Sequence, residues 1–373
     1  MSEVPNSKKD QLLALIRANP FVSQQELAER SGLSRSAVAG HVASLVREGR
    51  LLGRAYVLPQ AAPLLCMGGA NIDRKLQTLA RAHLHSSNPA RQSETPGGVA
   101  RNIAENLARL GLPVRLHTAL GDDAAGRTLQ QQAEALGISL QGSLLHQLQH
   151  PTGSYTAVLD ADGELIVALA QMELIDALDP AWLARSAAQR AEATLWIADL
   201  NLRADTLAAL CTEAMARERP LLLVAVSVPK MERLPADLRG VRCLIANEDE
   251  LAAAAGLPAT RNAQTRREAW QRLRARGLQQ LVVTAGPRGA FHSRGATLEH
   301  LPALPVQVRE VSGAGDAFAA GVCAALHRDA DDLSSACQLG LQLAALTLQT
   351  EASVSPTLSP ALLAPTSEES PSP

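Results

Sequence analysis

Six short apolar runs constrain this chain more than anything else in it. They are LLCMGG (64–69), VRLHTAL (114–120), TLWIADL (194–200), LLLVAVS (221–227), VRCLIA (241–246) and LVVTAG (281–286). Stretches with helical spacing lie between and after them, at 99–110, 124–136, 203–217, 263–276 and 316–327. Strand–helix alternation of this kind predicts an α/β domain from 64 to about 354, with a parallel sheet covered by helices on both faces. Residues 355–373, rich in Ser, Pro and Glu, predict a disordered tail. No internal repeat is present.

Composition narrows what such a chain does. Apolar residues make up 46% of its 373 positions, enough for a large core. No stretch reaches the ~20 uninterrupted apolar residues of a spanning helix. The opening MSEVPNSKKD has no apolar centre, so no secretory signal is evident; a cytoplasmic location without a membrane partner is expected. Five scattered cysteines (Cys66, Cys211, Cys243, Cys323, Cys337) form no CxxC, and HExxH is absent. That argues against a zinc ribbon or a disulfide framework. Aromatic residues at 2% argue against base-stacking platforms.

The first 60 residues have a plan of their own. They hold eight Lys/Arg against five Asp/Glu, whereas the whole chain is at −2. QLLALIRANP predicts a first helix with Leu12, Leu13 and Ile16 inward, stopped before Pro20. In SQQELAERSG, Ser23 and Glu26 have capping-box spacing, and Gly32 suits a left-handed exit. Ser34 then caps a third helix with Val38, Val42, Leu45 and Val46 as its apolar positions. GRLLGRAYVL (49–58) reads as a short β-wing. Three helices, a tight turn and a wing predict a winged helix-turn-helix over residues 1–60, joined through PQAAP (59–63) to the second domain. On the solvent side of the third helix, Arg35, Ser36, His41 and Ser44 are the candidates for double-stranded DNA contact. A helical dimerisation or docking module is the structural alternative. The pattern SQQELAERSGLSRSAVAGHVASLVREG resembles the winged helix of bacterial regulators.

No GxxxxGK[ST] occurs, so phosphate chemistry needs another loop. The candidate is VREVSGAGDAFAAGV, in which strand-like VQVRE (306–310) runs through Ser312 and Gly313-Ala314-Gly315-Asp316 into a helix. Small residues let backbone approach an anion, and amides at a helix start point at it. An aspartate there would be repelled by phosphate unless it accepts the proton of an attacking hydroxyl. A glycine-rich turn with a capping aspartate is the alternative for that motif alone. Four further elements sit at predicted strand exits or helix starts. PGGVARN supplies Gly97, Gly98 and Asn102, and MGGANID supplies Asn71 and Asp73, suited to a polyhydroxylated substrate. ANEDE supplies Asn247 and Glu250, spaced to face one hydrated Mg²⁺. VVTAGPRG supplies Thr284, Gly286 and Gly289, suited to a nucleotide. Each reads as a cap or turn by itself; five in order do not.

That order resembles the ribokinase/PfkB family of carbohydrate and nucleoside kinases over about 290 residues. The resemblance implies a Rossmann-type three-layer domain with a small β-sheet lid, ATP and Mg²⁺, and a monovalent cation such as K⁺ near the anion hole. It implies Asp316 as base, Gly313, Ala314 and Gly315 as anion hole, Asn247 and Glu250 at magnesium, and Asp73, Gly98 and Asn102 at the sugar. Within the family the text is most similar to pseudouridine kinases, through GGANIDRK, TPGGVARNIAENLARLG, TGSYTAVLDADGELIVAL, IADLNL and VSVPK. Such similarity implies phosphorylation of the 5′-hydroxyl of pseudouridine; a homodimer binding DNA through the winged helix is expected. Ribose or uridine as acceptor, or a ligand-sensing regulator without turnover, are the alternatives. Departures from the pattern are Val224-Ala225 for Asp-Pro, Gln171 for Asp, Glu310 for Asp in the cation loop, and Ser312 for Thr.

Overall fold

The computed structural model describes residues 7–18, 22–51, 62–147 and 149–363. It divides into two compact units, 1–61 and 62–373.

In the first unit, α1 (Lys8–Ala18), α2 (Gln24–Ser31) and α3 (Arg35–Arg47) enclose a small core of Leu12, Leu13, Ile16, Leu27, Val38, Leu45 and Leu51. The expected cap at α2 forms in both directions. Ser23 Oγ accepts from the Glu26 amide at 3.1 Å, and the Ser23 amide donates to Glu26 at 2.9 Å. Gly32 ends the helix at φ 67°. Val46, expected inward, is exposed, because Leu45 already takes the core-facing position of that turn. The wing at 49–58 and the linker at 59–63 lie largely outside the described residues.

The second unit follows in chain order as β1 (Leu64–Met67), β2 (Asn71–Thr78), β3 (Ala90–Gly97), α4 (Val99–Arg109), β4 (Val114–His117), β5 (Ala119–Gly121), α5 (Ala124–Ala135), β6 (Leu144–Gln147), β7 (Gly153–Leu159) and β8 (Leu165–Gln171). Then come α6 (Pro180–Arg185), α7 (Ala187–Ala191), β9 (Leu195–Asp199), α8 (Ala204–Ala216), β10 (Leu221–Val224), β11 (Cys243–Asn247), α9 (Glu248–Ala254) and α10 (Ala263–Ala275). β12 (Gln280–Thr284), β13 (Ala290–Arg294), β14 (Thr297–Leu301), α11 (Ala314–Arg328) and α12 (Leu333–Leu348) complete it.

The main sheet has the order β14-β13-β12-β11-β10-β9-β1-β4. Its six strands from β12 to β4 are parallel; β13 and β14 extend one edge antiparallel. Alternate residues of one strand enter different cores. Leu64 and Cys66 pack with α4, α11 and α12, while Leu65 and Met67 pack with α8, α9 and α10. Two cores on opposite faces of one sheet make the expected three-layer α/β domain. A second sheet, β3-β2-β7-β8, forms the lid.

Two expectations need correction. VQVRE is not a strand: residues 302–312 carry no regular secondary structure. The tail does not start at 355, because Ser355 and Leu358 are buried and Leu358 joins the α4–α11 core. Apolar Val354 and Leu358 anchor a segment whose composition reads as disordered. Residues 364–373 lie outside the described residues. Among the described residues no helix is long and apolar enough to cross a membrane.

Candidate active site

Helix α11 starts two residues earlier than its apolar spacing suggests, at Ala314, so Asp316 lies in its first turn rather than at its cap. The cap is Gly313, which makes no side-chain cap bond. It takes φ 79°, and a Cβ there would lie 1.9 Å from the Ser353 carbonyl oxygen. Only glycine fits that turn. The Ala314 amide, expected in the anion hole, instead donates to the Val311 carbonyl at 3.3 Å, a correction to that expectation. Among the described residues, the amides of Gly313, Gly315 and Asp316 have no protein acceptor. A Cβ at Gly315 would meet nothing within 4 Å. Free amides at the start of a 15-residue helix can receive an anion.

Asp316 accepts one hydrogen bond, on Oδ2, from Asn102 Nδ2 at 2.7 Å. The Asn102 amide is itself oriented, since Arg101 Nη1 donates to its oxygen at 2.6 Å and so leaves the NH₂ for Asp316. Burial pushes the Asp316 carboxyl up to about 7, with the Asp199 and Asp73 carboxylates adding to the rise; the Asn102 bond and the Arg101 charge work against it. Asn102, expected on the sugar, therefore has its amide engaged with the candidate base. Arg101 also donates to the Pro96 carbonyl at 3.1 Å and pairs with Glu105, which Arg109 approaches from the next turn at 2.8 Å.

The residues expected at the acceptor lie on the β2–β3 ribbon. Asn71 is buried and donates through Nδ2 to Asp73 Oδ1 at 2.6 Å. Gly97 faces Asn71 across the ribbon, and a Cβ on it would sit 2.2 Å from Asp73 Oδ2. Gly98 caps α4 at φ 99°, with the Gly69 carbonyl 2.4 Å from where a Cβ would be. Burial raises the Asp73 carboxyl, while Asn71 and nearby Arg101 and Lys75 moderate the rise. Asn71 thus orients Asp73 rather than pointing freely at a ligand.

Sequence reasoning missed Asp199, at the end of β9. Its Oδ2 accepts from the Gly69 and Ala100 amides, both at 2.9 Å, and its Oδ1 from the Asn201 amide at 2.9 Å. It ties the loop after β1 to the start of α4, so Asn71 and Asn102 hang from one buried carboxylate. The signal was available: a lone acid closing the apolar run TLWIADL.

On the nucleotide side, β11 and β12 pair so that Asn247 faces Thr284. Asn247 and Glu250 close a capping box on α9, each bonding the other's amide at 2.8 Å. Glu250 is buried, which raises its carboxyl, and it has no cationic partner among the described residues. Two hard oxygen donors with an uncompensated carboxylate suit a hydrated Mg²⁺. Gly286, expected at the nucleotide, takes φ 58° beside open space. Gly289 does not face the cleft. It is buried, and the Leu301 carbonyl lies 2.0 Å from where its Cβ would be, so its glycine serves the β13–β14 hairpin. Val224 packs in the core. Among the described residues, no three of His, Cys, Asp and Glu gather as a metal cluster.

Potassium does not fit at Glu310. Glu310 Oε1 accepts from the Val311 amide (2.9 Å), the Ser312 amide (3.1 Å) and Ser312 Oγ (2.9 Å). Its Oε2 holds the ammonium of Lys75. Burial works against ionisation here, but the Lys75 and Ser312 bonds outweigh it and hold the carboxyl at about 2.

On α3 the exposed stripe is Ser36, Gly40, Ala43 and Arg47, with Arg35 beside it. His41 and Ser44 are half-buried at its edge. Ser44 donates to Glu48 at 2.8 Å and accepts from Lys9 of α1 at 3.0 Å, and Ser36 bonds Ser34 at 3.0 Å. Ser44 therefore belongs to the α1–α3 contact, a correction to its expected place on the DNA-facing side.

Comparison with known proteins places the chain in a family. Residues 62–360 match the model of the pfkB family carbohydrate kinases, and residues 8–51 that of a winged helix-turn-helix DNA-binding domain. The chain is 31% identical to a protein of Escherichia coli K12 described as uncharacterized sugar kinase YeiI, over 85% of this chain and 87% of that one. It is also 31% identical to the pseudouridine kinase of that strain, over 69% of this chain and 82% of the kinase. The structure of Arabidopsis thaliana ribokinase with ribose and ATP superimposes with a TM-score of 0.69 at 20% identity, over 82% of this chain and 98% of that one. The chain belongs to the pfkB family of carbohydrate kinases, phosphotransferases acting on a hydroxyl group, and carries a winged helix-turn-helix domain at its front.

Proposed function

We propose that this kinase transfers the γ-phosphoryl group of ATP to the 5′-hydroxyl of pseudouridine. The observation that carries the chemistry is Asp316, a carboxyl raised to about 7 beside three amides without acceptors. Similarity to a pseudouridine kinase over most of its length supports the acceptor. The ribose lies against Asp73 and the Gly97–Gly98 edge, and the lid excludes water, a competing acceptor. Asp316 takes the hydroxyl proton as that oxygen bonds to the γ-phosphorus and the bond to the bridging oxygen of ADP breaks. The free amides of Gly313 and Gly315 offset the charge that develops, commonly the largest contribution in such sites. Thr284 and Gly286 border the nucleotide. Asn247 and Glu250 would hold Mg²⁺, which when bound neutralises phosphate charge.

An acceptor screen with ATP and Mg²⁺ tests this reading. Pseudouridine should give the highest kcat/KM among pseudouridine, uridine, ribose and fructose; a preference for uridine or ribose replaces the acceptor but keeps the chemistry. The front module favours a second activity alongside the first, binding of double-stranded DNA through α3 with Arg35 and Arg47 at its exposed side. Affinity for DNA upstream of the kinase's own operon should fall steeply with salt. No binding at low salt would make the module a docking element. A homodimer through β8, whose Leu165, Ile166, Val167 and Leu169 are exposed, completes the reading. Light scattering tests it, a monomer at micromolar concentration being the contrary result.

A further inference from the structure

The loop entering the anion site, residues 302–312, has no strand or helix to hold it. Its last residues are fixed by Glu310. Three donors from Val311 and Ser312 converge on Glu310 Oε1, directly before Gly313. A carboxylate so close to a phosphate site repels the substrate unless a cation neutralises it. Here that cation is the Lys75 ammonium on Oε2, reaching across 235 positions of sequence. Lys75 stands on lid strand β2, two residues beyond Asp73 and so on the same side of the strand. One ribbon carries both the acceptor-side carboxylate and the countercharge of the anion loop.

We propose that Lys75 is a tethered cation that takes the place of a monovalent ion. It neutralises Glu310, holds the path of the loop into Gly313, and makes phosphoryl transfer independent of K⁺. Lys75 is a positioning residue: it acts on the reaction through Glu310. The proposal rests on the reading of Asp316 and its loop as the transfer site.

The test compares the full-length protein with Lys75→Ala in potassium chloride and in tetramethylammonium chloride at equal ionic strength. ATP, Mg²⁺ and pseudouridine are the substrates, with uridine and ribose run in parallel. The wild type should turn over at rates within about twofold in the two salts. Lys75→Ala should lose roughly tenfold or more in kcat in tetramethylammonium, a loss equivalent to about 1.4 kcal/mol, and recover in potassium or ammonium chloride. A merely structural lysine would leave a defect that no small cation repairs. Wild-type activation of about tenfold by K⁺, or an unimpaired variant in tetramethylammonium, overturns the proposal. Should none of the acceptors turn over, the acceptor reading fails and thermal melting still decides about Lys75. Potassium should then raise the melting temperature of Lys75→Ala but not of the wild type; an equal response of both overturns it.

Discussion

Consider the acid limb of the pH profile. The carboxyl of Asp316 is lifted from 3.8 to about 7, chiefly by burial. At about 1.36 kcal/mol per pH unit, the shift corresponds to a penalty of about 4 kcal/mol on the ionised form. Only the ionised form accepts a proton, so kcat/KM for the acceptor should fall about tenfold for each pH unit below about 7. An ordinary aspartate would leave the rate flat far into the acid range. Two neighbours then move the limb in opposite directions. Asp199→Asn removes a charge that raises the Asp316 carboxyl, so the limb moves to lower pH. Arg101→Met removes a charge that lowers it, so the limb moves to higher pH. Asp199→Asn sets an amide NH₂ against a backbone N–H and costs about 1–3 kcal/mol of stability, but lost stability alone does not displace a titration. A coupled ADP-release assay across pH on the three proteins reads this directly. A wild-type limb near 4, or both variants shifting it the same way, refutes the electrostatic account of the base.

Asp316→Asn should cut kcat by about 10²–10⁴-fold while ATP still binds, read by steady-state kinetics and calorimetry. The same variant should be more stable at mildly alkaline pH. A raised carboxyl binds its proton more tightly folded than unfolded, so stability falls as pH climbs from 3.8 to about 7 and stays low above; removing the charge returns roughly 2–4 kcal/mol, visible as a higher urea midpoint. Gly313→Ala should destabilise by roughly 2–4 kcal/mol, since φ is 79° and the new Cβ would lie 1.9 Å from the Ser353 carbonyl oxygen, and it should abolish turnover. Ser23→Ala breaks the reciprocal cap of α2 and should cost about 1 kcal/mol locally, seen as faster amide exchange across residues 24–31 with kinase activity intact.

The central parallel strands were legible because each is a short apolar run filling two cores at once, as Leu64 to Met67 do. The β13–β14 hairpin was not, because AFHSR and TLEHL are half polar and lie at a sheet edge. Lid strand β3, ARQSETPG, carries almost no apolar signal and pairs only because β2 lies beside it. VQVRE has strand composition but no partner strand, so it stays irregular; local pattern does not supply pairing. In the site, glycines and carboxylates were visible as residue types at strand exits. Their partners were not: Asn102 and Asp316 are 214 positions apart, and Asp199 reaches Gly69 across 130. Spacing within a motif says nothing about which distant group consumes a hydrogen bond. The Asn247–Glu250 pair shows the converse, where the spacing read for a cation also closes a helix cap.

Why Asp316 and not another acid is the proposed base follows from how the carboxylates around it are compensated. Asp199 takes three backbone amides, leaving no room for a substrate proton. Glu105 lies between Arg101 and Arg109. Glu310 takes Lys75 and the donors of Val311 and Ser312. Asp73 is held by Asn71 against Gly97, on the strand proposed to meet the acceptor hydroxyls. Asp73 and Glu250 likewise each accept from one neutral donor on one oxygen; Asp316 differs in standing in the first turn of the helix where, among the described residues, the Gly313 and Gly315 amides have no protein acceptor. A carboxylate satisfied by amides or guanidinium gains little from a proton; one left under-compensated near other acids takes a proton readily. The scaffold thus neutralises Glu105 and Glu310, saturates Asp199 with amides, leaves Glu250 uncompensated at the expected cation side, and sets Asp316 beside the free amides with its second oxygen open to a proton.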